Sequence, residues 1–326
     1  MPLPTHQATG ATQPASPSKR SDASLSWWPT TGDLRTVEQS LREQPGLALG
    51  LVLLTVISVG MELGGIALFL WAMWTGRIRS LWRGAAHRVA PWSFGELGRV
   101  LLLGALVASL LPFVRVAILS YQMTWNLDTH LWTTVSMLFL DSFVIVAILA
   151  FAAGKARTAW AALGVSVPRA RAAVTAGVRG YVAMFPWIFL LLFLVVELAR
   201  RMGWQLPLEP IHELIFEERR PLVLGLTVLL ACVVGPVAEE LLFRGVFYAA
   251  LRRRTSRIIA MVVSGTVFSL VHTNLVGFLP IAALGCLLAY VYEQTGSLIS
   301  SMTVHILHNS FLMAMALAFR QLMMSA

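Results

Sequence analysis

Charge is scarce in this chain. Only 13% of its 326 residues are charged, where a soluble domain carries about 25%. Lysine is almost missing: Lys19 and Lys155 are the only two, so the formal net charge of +9 is nearly all arginine. That deficit excludes an ordinary soluble domain. With 57% hydrophobic residues and a mean hydropathy of +0.73, the chain reads as a polytopic membrane protein. A pI near 10.5 would suggest nucleic acid in a soluble protein. Here the arginines flank apolar runs, so the expected partner is the lipid bilayer and not nucleic acid.

Cysteine is scarce as well. Cys232 and Cys286 both fall inside apolar segments, which argues against a disulfide framework and against a thiolate metal site. The first residues lack a basic start followed by a short apolar core, so no cleaved signal peptide is expected. Residues 1–44 lack long apolar runs and are rich in Ser, Thr, Pro and Gln, which reads as a flexible polar tail, with Trp27 and Trp28 suited to the membrane interface. H-E-x-x-H is absent. No inverted repeat relates the two halves.

Eight apolar segments are present, each long enough or nearly so to cross about 30 Å of hydrocarbon. They run Leu47–Trp74, Val100–Leu119, Trp132–Ala153, Tyr181–Ala199, Leu222–Leu251, Ile258–Val276, Phe278–Tyr292 and Leu298–Ala318. The expected fold is all-α, a transmembrane helical bundle of about eight spanning helices. Residues 45–220 would hold four helices joined by basic loops, and 221–320 a core of about four more. Pro236 is expected to kink the fifth segment. Residues 159–178 read as an amphipathic stretch lying on the membrane, or as a plain basic loop.

The arginines give an orientation. Arg77, Arg79, Arg83, Arg88 and Arg99 follow the first segment. Lys155, Arg157, Arg169, Arg171 and Arg179 follow the third, and Arg252, Arg253, Arg254 and Arg257 follow the fifth. These alternate loops should be cytoplasmic, which puts both termini on the other side. An arginine-rich chain with two lysines has a bacterial look, so the expected location is the bacterial inner membrane.

Against this apolar background three polar clusters stand out in the last third. The first is Glu239, Glu240 and Arg244; the second is Phe268 with His272; the third is His305, His308 and Asn309. A charge at membrane depth costs several kcal/mol, roughly 2.5–3.5 on insertion scales. Glu240 and Arg244 are four apart and can pair on one helix face, which leaves Glu239 without a local partner. A carboxylate can take a proton from water, imidazoles can orient water or bind metal, and a carboxamide can hold an oxyanion. No serine or cysteine stands out as a nucleophile in this group. The chemistry that fits is hydrolysis of an amide or ester by activated water. Each cluster also has a structural reading: an ion-pair clip, or an interhelical hydrogen bond. Further acids lie at Glu62, Asp141 and Glu197. Glu197 is placed to pair with Arg200 and Arg201, Arg115 with Asp141 or Glu62, and Asp141 to line a substrate cavity.

At these residues the chain resembles the CPBP family of intramembrane proteases, which includes the CAAX prenyl endopeptidases and many bacterial "Abi" proteins. The family pattern of EExxxR, FxxxH and HxxxN is met by Glu239-Glu240 with Arg244, by Phe268 with His272, and by His305 with Asn309. The likeness covers about Val223–Phe319. It implies a membrane endopeptidase acting on a peptide or protein substrate near the cytoplasmic face. Glu239 would be the general base, with His272 and His305 orienting the water. Asn309 would hold that water or the oxyanion. Glu240 and Arg244 would support the site and Phe268 would line it, while His308 matches no motif position. A zinc ion held by Glu239, His272 and His305 is left open by the resemblance, and would turn Glu239 from base to ligand. Two other readings stand beside it: a non-catalytic scaffold or immunity protein, and a proton-coupled transporter.

On this topology the depths do not match. His272 would sit near the outer end of the sixth segment, and His305 within about 12 Å of the cytoplasmic end of the eighth.

Overall fold

In a computed structural model of the chain, the described residues are 38–39, 41–76, 92–120, 128–155, 160, 163–165, 169–203, 210–272 and 276–325. The expected polar tail falls almost wholly outside them, as do Trp27, Trp28, Arg77, Arg79, Arg83, Arg88 and Arg157. The described residues are helical and include no strand. The helices are α1 Pro45–Trp74, α2 Phe94–Ser120, α3 Thr129–Ala153, α4 Ala170–Arg201, α5 Pro210–Glu217, α6 Pro221–Arg252, α7 Arg257–Val271, α8 Phe278–Thr295 and α9 Leu298–Ser325. Seven of these, all but α5 and α7, are long and apolar enough to cross a membrane. The all-α membrane bundle read from the sequence is the architecture observed.

Local chemistry explains several helix ends. Pro45 and Pro221 sit in the first turns of α1 and α6, where a missing N–H costs nothing. Asp128 caps α3 by accepting the Leu131 N–H at 2.9 Å. Gly296 ends α8 in the left-handed region, at φ 63°, with its N–H on the Tyr292 carbonyl.

Four ends differ from the sequence reading by five residues or more. α2 starts at Phe94 and α4 at Ala170, earlier than expected, and α9 continues to Ser325. The second half of the supposed surface stretch 159–178 is therefore the first part of a spanning helix. Its Gly177 lies against α9, where a Cβ would come within 2.6 Å of the Ser300 carbonyl oxygen. α7 ends at Val271, five residues before the expected Val276. Its 15 residues rise only about 22 Å, short of a full crossing.

Two polar belts tie the ends of the bundle. At one end Lys155 pairs with Glu96 and lies 4.9 Å from the Trp92 ring centroid, and Arg253 donates to the Trp92 carbonyl at 3.1 Å. There Arg252 and the Tyr248 hydroxyl also hold the buried Glu293, at 3.0 and 2.7 Å. The joints before α2, after α3 and after α6 therefore share one end. At the other end, Glu218 pairs with Arg220 and lies 3.2 Å from His130 Nδ1, Arg320 donates to its backbone carbonyl, and Gln321 donates to Gln44. The start of α1 and the end of α9 thus meet at this second end. Glu197 pairs with both Arg200 and Arg201 as expected. Arg115 instead donates to the Thr129 hydroxyl at 3.3 Å.

The core lies in α6–α9. Small residues let these helices approach closely, as helices in lipid do. A Cβ on Gly265 of α7 would stand 2.6 Å from Cys286 Sγ and 2.8 Å from the Ala282 carbonyl oxygen of α8. Both cysteines are free. By contrast, α1 to α4 expose rows of Leu, Val, Phe and Trp to the surroundings, as a lipid-facing surface does.

Candidate active site

The site is built on an irregular stretch of α6. Leu230–Val234 and Leu241–Tyr248 are π-helical, with an α-helical turn, Gly235–Glu240, between them. The expected break at Pro236 is therefore absorbed by a π turn inside one continuous helix. Glu239 and Glu240 end the central turn.

The two glutamates differ sharply. Glu240 and Arg244 are fully buried, with side chains 0% exposed, and Arg244 Nη1 donates to Glu240 Oε1 at 2.8 Å. Arg244 Nη2 donates to the Gly285 carbonyl at 2.9 Å, and its guanidinium lies 4.5 Å from the Phe268 ring centroid. These two residues lock α6 to α8. The Glu239 side chain keeps 35% exposure, so it is reachable. Its Oε2 is buried with no hydrogen-bond partner and lies 3.9 Å from His272 Nε2 and 3.7 Å from His305 Nε2.

Both imidazoles are oriented from behind. His272 follows the last residue of α7, and its Nδ1 lies 2.7 Å from the Phe268 carbonyl oxygen. A carbonyl only accepts, so Nδ1 carries the proton and Nε2 presents a lone pair in the neutral ring. His305 turns Nδ1 to Glu240 Oε1 at 3.1 Å, which fixes the same tautomer. Phe268 packs between them, 4.7 Å from the His272 ring and 5.6 Å from the His305 ring.

The mismatch in depth disappears because α9 starts inside the bundle. Leu298 is fully buried and faces Gly245, about 10 Å along α6 from Arg252. His305 lies about 10 Å further along α9, level with Glu239, and the short α7 delivers His272 to the same depth.

Asn309 takes a position the motif did not foretell. Its Nδ2 donates to the Ala231 carbonyl oxygen of α6 at 2.9 Å. His308 stays off the site, 3.4 Å from the Tyr181 hydroxyl and edge-on to that ring. Asp141 of α3 does reach the site: a Cβ on Gly235 would lie 3.6 Å from its Oδ2 and 3.9 Å from Glu239 Oε1. The Ala231 and Gly285 carbonyls are the partners a sequence reading missed, since backbone acceptors leave no residue signature.

Zinc accepts two imidazoles and a carboxylate, and both imidazoles have the outer partners that metal ligands use. The spacings from Glu239 Oε2 to the two Nε2 atoms, 3.9 and 3.7 Å, are nonetheless wider than the roughly 3.3 Å that a tetrahedral zinc with ligands at about 2 Å sets. Among the described residues, no group of three His, Cys, Asp or Glu side chains is placed to hold a metal ion.

Residues 221–311 match the family described as type II CAAX prenyl endopeptidase, Rce1-like. The motifs that carry the CPBP resemblance fall within this segment. Two curated relatives resemble part of the chain. "Putative membrane peptidase YdiL" of Bacillus subtilis (strain 168) is 30% identical over 92 residues, which is 28% of this chain and 38% of the relative. "UPF0177 protein YxdF" of Lactococcus lactis subsp. lactis (strain IL1403) is 32% identical over 80 residues, 24% of this chain and 44% of the relative. The chain thus spans less than half the length of these relatives. No solved structure shows significant similarity to it. The matched segment contains Glu239, Glu240, Arg244, Phe268, His272, His305 and Asn309, whereas Asp141 lies outside it.

Proposed function

We propose that the protein is a multi-pass membrane endopeptidase that cuts a peptide with water activated by Glu239. The observation that carries this reading is the reachable Glu239 carboxylate, whose unpartnered Oε2 faces two imidazole lone pairs. Polar atoms 3.7 and 3.9 Å apart are too far for a direct hydrogen bond and suit a shared water. Such a water has two protons to donate, one to Glu239 and one shared between the two imidazole lone pairs, which leaves an oxygen lone pair free to attack. Glu239 takes one water proton as oxygen attacks the carbonyl carbon. As the C–N bond breaks, the Glu239 carboxyl returns that proton to the leaving nitrogen. His272 and His305 hold the water, and Glu240 and Phe268 hold the imidazoles. No step is routed through a metal.

The substrate would be a membrane-associated peptide. The basic joints gathered at one end of the bundle argue that this end is cytoplasmic, and substrate would enter from that side. The family description makes a prenylated C-terminal peptide the first probe.

The test uses detergent-purified full-length protein and two fluorogenic peptides, with and without a farnesyl group on a cysteine three residues from the C-terminus. Mass spectrometry identifies the products. Wild type should cleave at least one peptide, with or without 1,10-phenanthroline. Glu239→Gln should lose about 10²–10⁴-fold in kcat while remaining folded. Undiminished cleavage by Glu239→Gln overturns the proposal, and loss with chelator overturns its metal-free form.

A further inference from the structure

We infer that Asn309 is a positioning residue: its carboxamide supplies the hydrogen bond that Pro236 lacks, and so holds the turn of α6 that aims Glu239. The backbone register leads to this assignment. In the π turn Leu230–Val234, the Gly235 N–H donates five residues back, to the Leu230 carbonyl. The next bond in that register would run from residue 236 to the Ala231 carbonyl. Residue 236 is proline, which has no N–H. The Gly235 N–H is already committed, so the Ala231 carbonyl is left without its helix partner inside an apolar bundle, where unpaired backbone groups are costly. Asn309 Nδ2 fills that place at 2.9 Å.

The acceptor fixes how the amide is turned. A carbonyl cannot donate, so the NH2 group faces Ala231. An aspartate in the same place would present only acceptor oxygens when ionised. The consequence reaches the site because Pro236 precedes Glu239 by three residues, within one turn. His305 and Asn309 share one face of α9. That face grips α6 twice, at Ala231 before Glu239 and at Glu240 directly after it. Glu239 is held between the two grips. This assignment places Asn309 behind the carboxylate, acting through the backbone of α6.

Only the catalytic arm of the test rests on the peptidase reading. Pro236→Ala restores an N–H to the Ala231 carbonyl, so Pro236→Ala and Asn309→Ala form a double-mutant cycle. Hydrogen exchange of the backbone amides of residues 235–241 and the thermal unfolding midpoint are measured on the substrate-free protein in detergent. Asn309→Ala and Asn309→Asp should speed exchange and lower the midpoint by roughly 2–6 °C. On the fluorogenic peptides, Asn309→Ala should lower kcat by on the order of 100-fold with KM little changed, as for a misaimed group. In the Pro236→Ala background the same substitution should lose most of its effect on exchange, midpoint and kcat. Equal effects of Asn309→Ala in both backgrounds would overturn the inference. If the wild type cleaves neither peptide, the peptidase reading fails, while exchange and midpoint still decide this one.

Discussion

His305 Nδ1 lies 3.1 Å from Glu240 Oε1, and this contact joins the buried ion pair of α6 to the open side of the site. Glu240 has one charged partner on its own helix, Arg244, and one titratable partner on α9. The pair that looks like a structural clip is also the support that turns a ring nitrogen toward Glu239.

Breaking this pair should therefore cost both stability and activity. Glu240→Gln leaves Arg244 as a buried charge without its counter-ion, a loss of about 3–5 kcal/mol. Replacing both partners, with Glu240→Leu and Arg244→Met, should recover much of the stability, since apolar isosteres of buried pairs are often neutral. It should not recover cleavage, because His305 has lost its orienting carboxylate. Unfolding midpoints and peptide cleavage on the three proteins check this. Full activity in the double variant would contradict the support role.

The Gly265–Gly285 crossing should control the site from a distance. Gly265→Ala forces α7 away from α8, since its new Cβ would meet Cys286 Sγ at 2.6 Å and the Ala282 carbonyl oxygen at 2.8 Å. Overpacking of this kind costs about 1–3 kcal/mol. α7 carries His272 at its end, and a displaced imidazole should lower kcat by on the order of 100-fold. Gly225→Ala is the control, because a Cβ there has nothing within 4 Å. Equal kcat for the two variants would show that α7 tolerates the shift.

Acid should loosen the far end of the bundle through Glu218. Its hydrogen bonds and ion pair with Arg220 hold its carboxyl down at about 2, well below the usual carboxylate range near 4.3. A depressed folded value means the group binds a proton more readily when unfolded. Its contribution is present in full above the unfolded value and drains away as pH falls from about 5 to 2. Glu218→Gln should be less stable than wild type at pH 7, and the two should converge toward pH 2. Parallel pH–stability curves for the two proteins would remove Glu218 from the acid response.

Much of this protein is legible in its sequence, for reasons that particular residues make plain. The rows of Leu, Val and Phe in α1 to α4 can only be solvated by lipid, so the fold class follows from hydropathy, while the count of eight spans does not, because α7 is too short to cross. The chain-local pairs are readable too, because helix geometry sets them: Glu240 with Arg244, and Glu197 with Arg200 and Arg201. The ends of α4 and α7 were not readable. Gly177 and Gly265 make close helix contacts that stabilise helices where hydropathy gives no boundary.

What the sequence alone determined is therefore a lipid-embedded helical chain that carries motifs of CPBP type at short spacing. Composition and helix periodicity act locally, and both survive in a linear reading. Tertiary structure alone decided the depth at which α9 begins, the arrival of Asp141 from α3, and the turn of the Asn309 amide toward Ala231. Each depends on contacts between segments far apart in the chain or on backbone carbonyls, which look alike at every position until the fold selects one.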